Sequence, residues 1–184
     1  MPLNYHNTID VPRLNASPLN MQGRHNRHKS KPLNFEAYAA EGNRFVHEVA
    51  KELGSSRNCA ARVTRAVLHA LRDRMPPNLA IQIAQGLPMA LKGIYIDQYD
   101  PSHTPVVIRS KRKFLKYIHA KVGITAPADL PDPESVREAF RAVFYVLERH
   151  LSPGQMHQLK HALNRELLDL TEEGVPVWSQ IAFT

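Results

Sequence analysis

The sequence predicts an all-α protein: a compact helical bundle of two tandem pseudo-repeats behind an extended N-terminal tail. Apolar residues recur at steps of three, four and seven, Gly and Pro stand where helices would end, and the pattern returns later in the chain. The 184 residues are enough for one shared core. The predicted segments are a basic tail, repeat 1, a connector, repeat 2 and a C-terminal tail, at residues 1–34, 35–96, 97–110, 111–173 and 174–184.

The first helix is predicted to begin after Asn34 and to end at Gly54. An Asn side chain can accept a hydrogen bond from the free backbone N–H groups of a first turn. Glycine adopts the left-handed conformation that closes many helices. Between these two residues runs one apolar stripe, formed by Phe35, Tyr38, Phe45, Val46, Val49, Ala50 and Leu53.

Two further helices are predicted in the first repeat. One starts near Ser56 or Asn58 and stops at the proline pair that begins with Pro76, because proline lacks an N–H and clashes with the preceding turn. The next helix follows that pair and is expected to break or kink at residues 86–88, where Gly, Leu and Pro are adjacent. Residues 97–110 then form a Pro-containing connector.

The same pattern returns in the second half of the chain. A shift of 69 residues places Phe45 on Phe114, and a shift of 76 residues places Arg65 on Arg141. The difference between the two shifts falls in residues 125–134, a Pro-rich loop where an insertion costs little free energy. The sequence therefore predicts an internal duplication, folded as one bundle with pseudo-twofold symmetry.

Three motifs of the first repeat resemble the bacterial family named domain of unknown function 2267. They are Phe45-x-x-x-Val49-x-x-x-Leu53-Gly54, Arg65-Ala66-Val67-Leu68-x-x-Leu71 and Ala84-Gln85-Gly86-Leu87-Pro88-x-x-Leu91-x-x-x-Tyr95. The resemblance covers about residues 35–173 and implies an all-helical, bacterial, cytoplasmic protein without an established activity. The second copy departs from the pattern at Asn164, where a Leu-Pro pair is expected, and the helix there is predicted to run straight.

The positive charge of the chain is unevenly distributed. The formal net charge is +7, and residues 1–34 hold five Lys or Arg against one Asp. Residues 114–184 instead hold nine acidic against seven basic side chains. Basic segments attract nucleic acid, acidic partners or anionic lipid, and a solvated surface that aids solubility is an equally good interpretation.

The densest basic cluster stands where the connector meets the second repeat. Several cations that neutralise phosphates together release counterions, so the cluster is a candidate polyanion-binding site. Phe114 lies inside it, but this residue matches Phe45 of the predicted core and is therefore expected to be buried rather than to stack on bases. The alternative is a solvated start of a helix. The cluster consists of Arg109, Lys111, Arg112, Lys113 and Lys116.

A second basic pattern follows the long helix of the first repeat, on the side predicted to lie opposite its apolar residues. Its members are Arg62, Arg65, His69 and Arg72, and the positions that match them in the second copy are Glu138, Arg141, Tyr145 and Glu148. Arg65 and Arg141 keep their charge, so we expect them to bond a carboxylate or the carbonyl end of a neighbouring helix. Arg62, Arg72, Glu138 and Glu148 are predicted to form opposed faces that attract each other within or between molecules.

Two candidate chemical sites are weaker than their structural alternatives. Cys59 stands near a helix start, where a thiolate is stabilised, but it needs a base such as His69 or His47. His157 and His161 have the spacing of a metal-binding pair, yet no carboxylate pair flanks them. We therefore expect Cys59 to be a cap or core residue and the two histidines to lie on a solvated helix face.

The function predicted from the sequence is non-enzymatic binding. The chain has no Walker loop, dinucleotide-binding glycine pattern, nucleophile elbow or Cys-x-x-Cys pair, and we expect no catalytic site, metal or cofactor. The single Cys, the absence of a signal-peptide pattern and the lack of a long apolar run predict a cytoplasmic protein that does not insert into membranes. The leading hypothesis is that the protein engages a protein partner or itself, with the tail as a candidate segment. The alternative is nucleic-acid or polyanion binding through the tail and residues 109–116.

Overall fold

The computed structural model describes residues 33–172, and within that range the chain is α-helical without a strand. The all-α prediction is therefore confirmed. The predicted C-terminal tail and the N-terminal tail before Leu33 lie outside the described residues. The helices are α1 (Phe35–Leu53), α2 (Arg57–Asp73), α3 (Pro77–Gly86), α4 (Met89–Ile96), α5 (Lys111–Val122), α6 (Ala126–Asp129), α7 (Pro133–His150), α8 (Pro153–Ala162) and α9 (Arg165–Glu172).

Both predicted ends of the first helix and the predicted start of the second are confirmed. The Asn34 side chain accepts a hydrogen bond of 2.9 Å from the backbone N–H of Ala37, and α1 closes at Gly54, whose φ of 62° is left-handed. Ser56 caps α2 by accepting from the N–H of Cys59. These local signals settle the helix boundaries because they satisfy backbone groups that the helix itself leaves free.

The first turn of α1 does not belong to the core, contrary to the predicted stripe. Phe35 is 74% exposed, and the buried side of α1 begins at Gly42 and continues through Phe45 and Val49. At Gly42 the helix approaches α4 so closely that an added Cβ would lie 3.0 Å from the Cβ of Ala90. The close contact with α4 thus starts two turns into α1.

Each half of the described chain contains a break between its last two helices. The predicted break at residues 86–88 is confirmed, since α3 ends at Gly86 and α4 begins at Met89. The prediction of a straight helix at Asn164 is wrong. Its carbonyl accepts from the N–H groups of Leu167 and Leu168, and its side-chain amide donates to the carbonyl of Arg109, so a new helix starts there.

The segment at 125–134 is more structured than the predicted loop. A 3₁₀ turn at Gly123–Thr125 leads directly into the short helix α6, which ends at Asp129. The connector at residues 97–110 contains one further 3₁₀ turn, Pro101–His103. Through α6 the chain brings a carboxylate against α2, as described below.

The core forms around the two long helices, α2 and α7. α2 packs against α1, α4, α5 and α7, and α7 also packs against α1, α5, α8 and α9. Phe45, Phe114 and Phe140 are fully buried, and the last two rings meet edge to face with centroids 5.4 Å apart. The matching lengths of α3 and α8, with 10 residues each, and of α4 and α9, with 8 each, fit the predicted duplication, which stays a prediction.

Between residues 33 and 172, no helix is both long enough and apolar enough to cross a bilayer.

Gly86 lies at the contact between α3 and α8, and we expect its replacement to destabilise the fold. A Cβ at this position would lie 2.5 Å from the Gln155 amide and 2.6 Å from the side chain of Leu151. Gln155 cannot move freely, because its amide donates to the carbonyl of Gln82. We expect Gly86→Ala to lower the free energy of unfolding by about 1–3 kcal/mol, measured by urea denaturation.

The matched control is Gly93→Ala in α4, where an added Cβ meets nothing within 4 Å. Here alanine should raise the free energy of unfolding by about 0.5–1 kcal/mol, because glycine disfavours a helix interior. Equal effects of the two substitutions would contradict the described packing of α3 against α8.

Candidate functional site

Three basic side chains of α2 converge on the C-terminal end of α4. The Arg65 guanidinium pairs with Asp97 at 2.7 Å, and Nε2 of His69 donates to the carbonyl of Ile94, also at 2.7 Å. Arg72, one turn further along α2, reaches the same end of α4. A helix C-terminus carries free carbonyls and partial negative charge, so cations and N–H donors stabilise it. Arg65 therefore makes the kind of contact predicted for it, with a carboxylate at the carbonyl end of a neighbouring helix.

Arg72 is buried, with 1% of its surface exposed, so its predicted place on a partner face is wrong. Its guanidinium donates to the carbonyls of Tyr95 and Asp97 and lies 4.8 Å from the centre of the Tyr99 ring. His69 is buried as well, and burial lowers the pKa of its imidazole. Two of the four residues of the predicted basic stripe, His69 and Arg72, therefore lie inside the protein, where they hold the C-terminal end of α4.

Asp73 extends this internal contact to α5. One carboxylate oxygen accepts from Arg72 at 2.9 Å, and the other accepts from the Tyr117 hydroxyl at 2.8 Å and the Lys121 ammonium at 2.7 Å. The backbone carbonyl of Asp73 also accepts from the N–H of Val106 in the connector, at 2.7 Å. One residue thus links α2, the connector and α5.

The hydrogen bonds at Asp73 outweigh the cost of its burial. Burial raises the pKa of the carboxyl, but the bonds from Lys121, Tyr117 and Arg72 together bring that pKa below its ordinary value. Burial lowers the pKa of Lys121, but the hydrogen bond and the charge of Asp73, together with Tyr117, bring that pKa above its ordinary value. The Asp73 carboxylate and the Lys121 ammonium are therefore the stable forms at neutral pH.

Arg62 also has a partner inside the same chain, which the sequence did not indicate. Its Nε and one terminal nitrogen donate to the two oxygens of Asp129 in α6, each at 2.6 Å. The hydrogen bond from Arg62 is the main cause that lowers the pKa of Asp129 to about 2. The Arg62 side chain nevertheless stays 40% exposed, because it lies at the rim of a groove.

The groove runs between α2 and α4 and has a volume of about 600 Å³. Its lining includes two small residues, Ala61 and Gly93, and two arginines that have unused N–H donors. An Arg side chain has five such donors, and Arg62 and Arg65 use two and one of them in side-chain hydrogen bonds. The groove is lined by Ala61, Arg62, Arg65, Gly93, Ile94 and Asp97.

The face of α7 that matches this stripe is exposed. Tyr145 is 51% exposed, with the Arg149 guanidinium 6.0 Å from its ring centre, and Glu138 is exposed one turn before Arg141. Glu148 pairs with Lys160 of α8. Arg141 makes no hydrogen bond or ion pair within residues 33–172, so its predicted structural contact is not found there.

The basic cluster at the start of α5 is close to the start of α9. The N–H of Lys111 donates to the Glu166 carboxylate at 3.0 Å, and its ammonium pairs with Asp169 at 3.2 Å. The carbonyl of Arg109 accepts from Asn164. Arg112, Lys113 and Lys116 are exposed, and Phe114 is buried as predicted.

The candidate chemical sites do not assemble. Burial raises the pKa of the Cys59 thiol, which opposes a reactive thiolate. His69 lies ten residues further along α2, about 15 Å along the helix axis, and His47 is exposed on α1. His157 and His161 are exposed, and residues 33–172 contain no group of three His, Cys, Asp or Glu side chains placed to hold a metal ion.

Comparison with known proteins decides the family. The model of the uncharacterized conserved protein family DUF2267 matches residues 42–170, from the buried part of α1 to the end of the core in α9. The chain belongs to this family. No curated protein matches the sequence. The family match confirms the resemblance of the three motifs, and it spans every helix contact described above.

The buried arginine of this DUF2267 protein predicts a large loss of stability when it is replaced. Arg72→Met leaves the carbonyls of Tyr95 and Asp97 without their donor and removes one cation from Asp73. Breaking a buried ion pair from one side typically costs about 3–5 kcal/mol. We expect a fall of that size in the free energy of unfolding, measured in urea. Arg65→Met, which breaks a half-exposed pair, should cost about 0–1 kcal/mol. Similar losses in the two variants would contradict this difference.

The Arg62–Asp129 pair predicts a pH dependence for the DUF2267 chain. The pKa of Asp129 is about 2 in the folded protein, against about 3.9 in an unfolded chain. A lowered carboxyl pKa stabilises the fold above the unfolded value, and this stabilisation is lost as the pH falls through the folded value. Asp129→Asn should therefore be less stable than wild type at neutral pH, and the gap should close between about pH 4 and pH 2. A constant gap in urea unfolding over this range would contradict the assignment.

Proposed function

We propose that this protein is a non-enzymatic helical binding protein that associates with a second copy of itself. The α2–α4 groove of one copy receives the exposed face of α7 of the other. The observation that supports this proposal is the complementarity of the two surfaces. The groove is lined by two arginines with Ala61, Gly93 and Ile94, and the α7 face presents an exposed aromatic ring between glutamates.

The groove keeps capacity for further carboxylates. Arg62 and Arg65 are 40% and 48% exposed, and each retains N–H donors beyond those bound to its own partner. Gly93 adds no side chain to the groove, and nothing lies within 4 Å of the position where its Cβ would be. A bulky side chain from another molecule therefore has room in the groove.

The α7 face has a matching pattern. Glu138 and Tyr145 are two helical turns apart on one side of α7, about 10.5 Å along the axis. Glu138 has no ion pair among residues 33–172, so its carboxylate is available to an arginine of another molecule. Tyrosine has a large apolar body and a polar end, a combination that is common at protein interfaces.

The geometry of such an assembly follows from the difference between its two surfaces. A twofold axis would pair each groove with the α7 face of the other copy. The contact between groove and α7 face then forms twice, and the dimer is closed. The exposed charge pairs contribute only about 0–1 kcal/mol each, and they set orientation more than strength. Tyr145 in the groove is the expected source of most of the affinity.

A charge exchange tests the self-association. Arg65→Glu and Glu138→Arg should each weaken dimerisation by about fivefold to tenfold at low salt, because an attraction becomes a repulsion worth roughly 1 kcal/mol. The double variant should recover most of the lost affinity. Sedimentation velocity over a range of protein concentrations measures the dissociation constant.

Arg44→Glu, an exposed reversal on α1, is the matched control and should leave the dimer unchanged. Thermal unfolding of every variant separates a lost interface from a lost fold. A wild-type chain that is monomeric at low salt, or a double variant no better than the single ones, would contradict the proposal. Association that persists after Tyr145→Ser would do the same.

A further inference from the structure

The outer surface of α5 carries cations that the rest of the described chain does not neutralise. Arg112, Lys113 and Lys116 are exposed, and none of them pairs with a carboxylate within residues 33–172. Residues three or four apart share a helix face, so Lys116 lies beside both of the others. The buried residues of α5 occupy the opposite side, where Phe114 and Ile118 enter the core.

Other cations near this surface are engaged. Lys111 pairs with Asp169, and Lys121 faces inward to Asp73. The three outer cations of α5 thus differ from their neighbours on the same helix. Like charges so close together repel each other, and this repulsion would be relieved by an anionic ligand.

The start of α9 extends the basic surface beyond the cluster seen in the sequence. Asn164 contacts the carbonyl of Arg109, and the exposed Arg165 follows it directly. Arg109 is exposed as well. Two segments that are 55 residues apart therefore place the exposed Arg109 and Arg165 near each other. The exposed Glu166, which follows Arg165, accepts from the backbone N–H of Lys111, so one carboxylate lies among these cations.

The chemistry of this surface favours phosphates over bases. The only Phe, Tyr or Trp residues of α5 are Phe114 and Tyr117. Phe114 is fully buried. Tyr117 is half-buried, its hydroxyl donates to Asp73, and the Lys121 ammonium lies 5.1 Å from its ring centre, so neither ring is available to stack on an unpaired base. A surface of cations without a stacking platform contacts the sugar–phosphate backbone, which a duplex presents at high charge density.

We infer that the outer face of α5, with Arg109 and Arg165, binds the phosphate backbone of double-stranded nucleic acid without reading its sequence. This inference is independent of the proposed self-association, because the groove and the α7 face contain none of these residues. Each cation that neutralises a phosphate releases a counterion, and binding is therefore expected to weaken steeply with salt.

The test uses the full chain and a fluorescein-labelled DNA duplex of random sequence, about 20 base pairs long. Fluorescence anisotropy gives the binding constant at several salt concentrations. In the variant Arg112→Gln, Lys113→Gln, Lys116→Gln, the slope of log K against log salt should fall by about 2.7, or about 0.9 per lost phosphate contact. Between roughly 50 and 200 mM salt, the variant should then lose about 40-fold less affinity than wild type.

A charge-matched control separates this surface from the net charge of the chain. Arg44→Gln, Lys51→Gln, Arg57→Gln removes three exposed cations from α1 and the start of α2. This control should keep the wild-type slope. A second comparison replaces Arg24, Arg27 and Lys29 of the N-terminal tail by Gln, and the duplex slope should again change less than in the α5 variant.

Several results would overturn the inference. One is a wild-type chain that does not bind the duplex at low salt. Another is an α5 variant with an unchanged slope, or a loss confined to the tail variant. Tighter binding to the single strand of the same length, or to vesicles with anionic headgroups, would assign the surface to a different ligand. Circular dichroism of each variant checks that the fold is intact.

Discussion

The buried ion pair of Arg72 and Asp73 is the contact on which the other features of the structure depend. A charge inside a protein is costly unless its hydrogen-bonding groups are satisfied, and here they are satisfied by several elements at once. Asp73 accepts from Tyr117 and Lys121 of α5, and its carbonyl accepts from Val106 of the connector. The groove forms between α2 and the α4 end that Arg72 holds. The cations of α5 face outward because its opposite side carries Phe114 and Ile118 into the core, while Tyr117 and Lys121 bond Asp73.

Most of the fold could be predicted from the sequence, because its signals are local. Caps such as Asn34, a left-handed Gly54 and helix-stopping prolines act on neighbouring backbone groups, and the apolar period identifies the two long helices. The predictions were wrong where contacts between residues distant in sequence determine the local structure. Asn164 starts a helix while its amide contacts the carbonyl of Arg109, 55 residues away. Phe35 follows the apolar period of α1 yet lies outside the core, because the contact with α4 begins at Gly42.

Less of the candidate site could be predicted. The period of α2 placed His69 and Arg72 opposite the apolar side, an argument that presumes a helix with one solvent face. α2 is surrounded by four helices, so polar residues on several sides enter the interior. One signal could have indicated this: adjacent opposite charges, Arg72 and Asp73, at the end of an otherwise apolar run. The pairing of Arg62 with Asp129 had no such signal, since it depends on where α6 packs.

Native-state hydrogen exchange of the full chain tests most directly whether the Arg72–Asp73 contact joins these elements. If the contact couples α2, α4 and α5, their most protected amides should open with one common free energy and with the same dependence on denaturant. Mass spectrometry of peptides from each helix measures both quantities. An α4 or α5 that opens at clearly lower free energy, while α2 stays protected, would contradict the account.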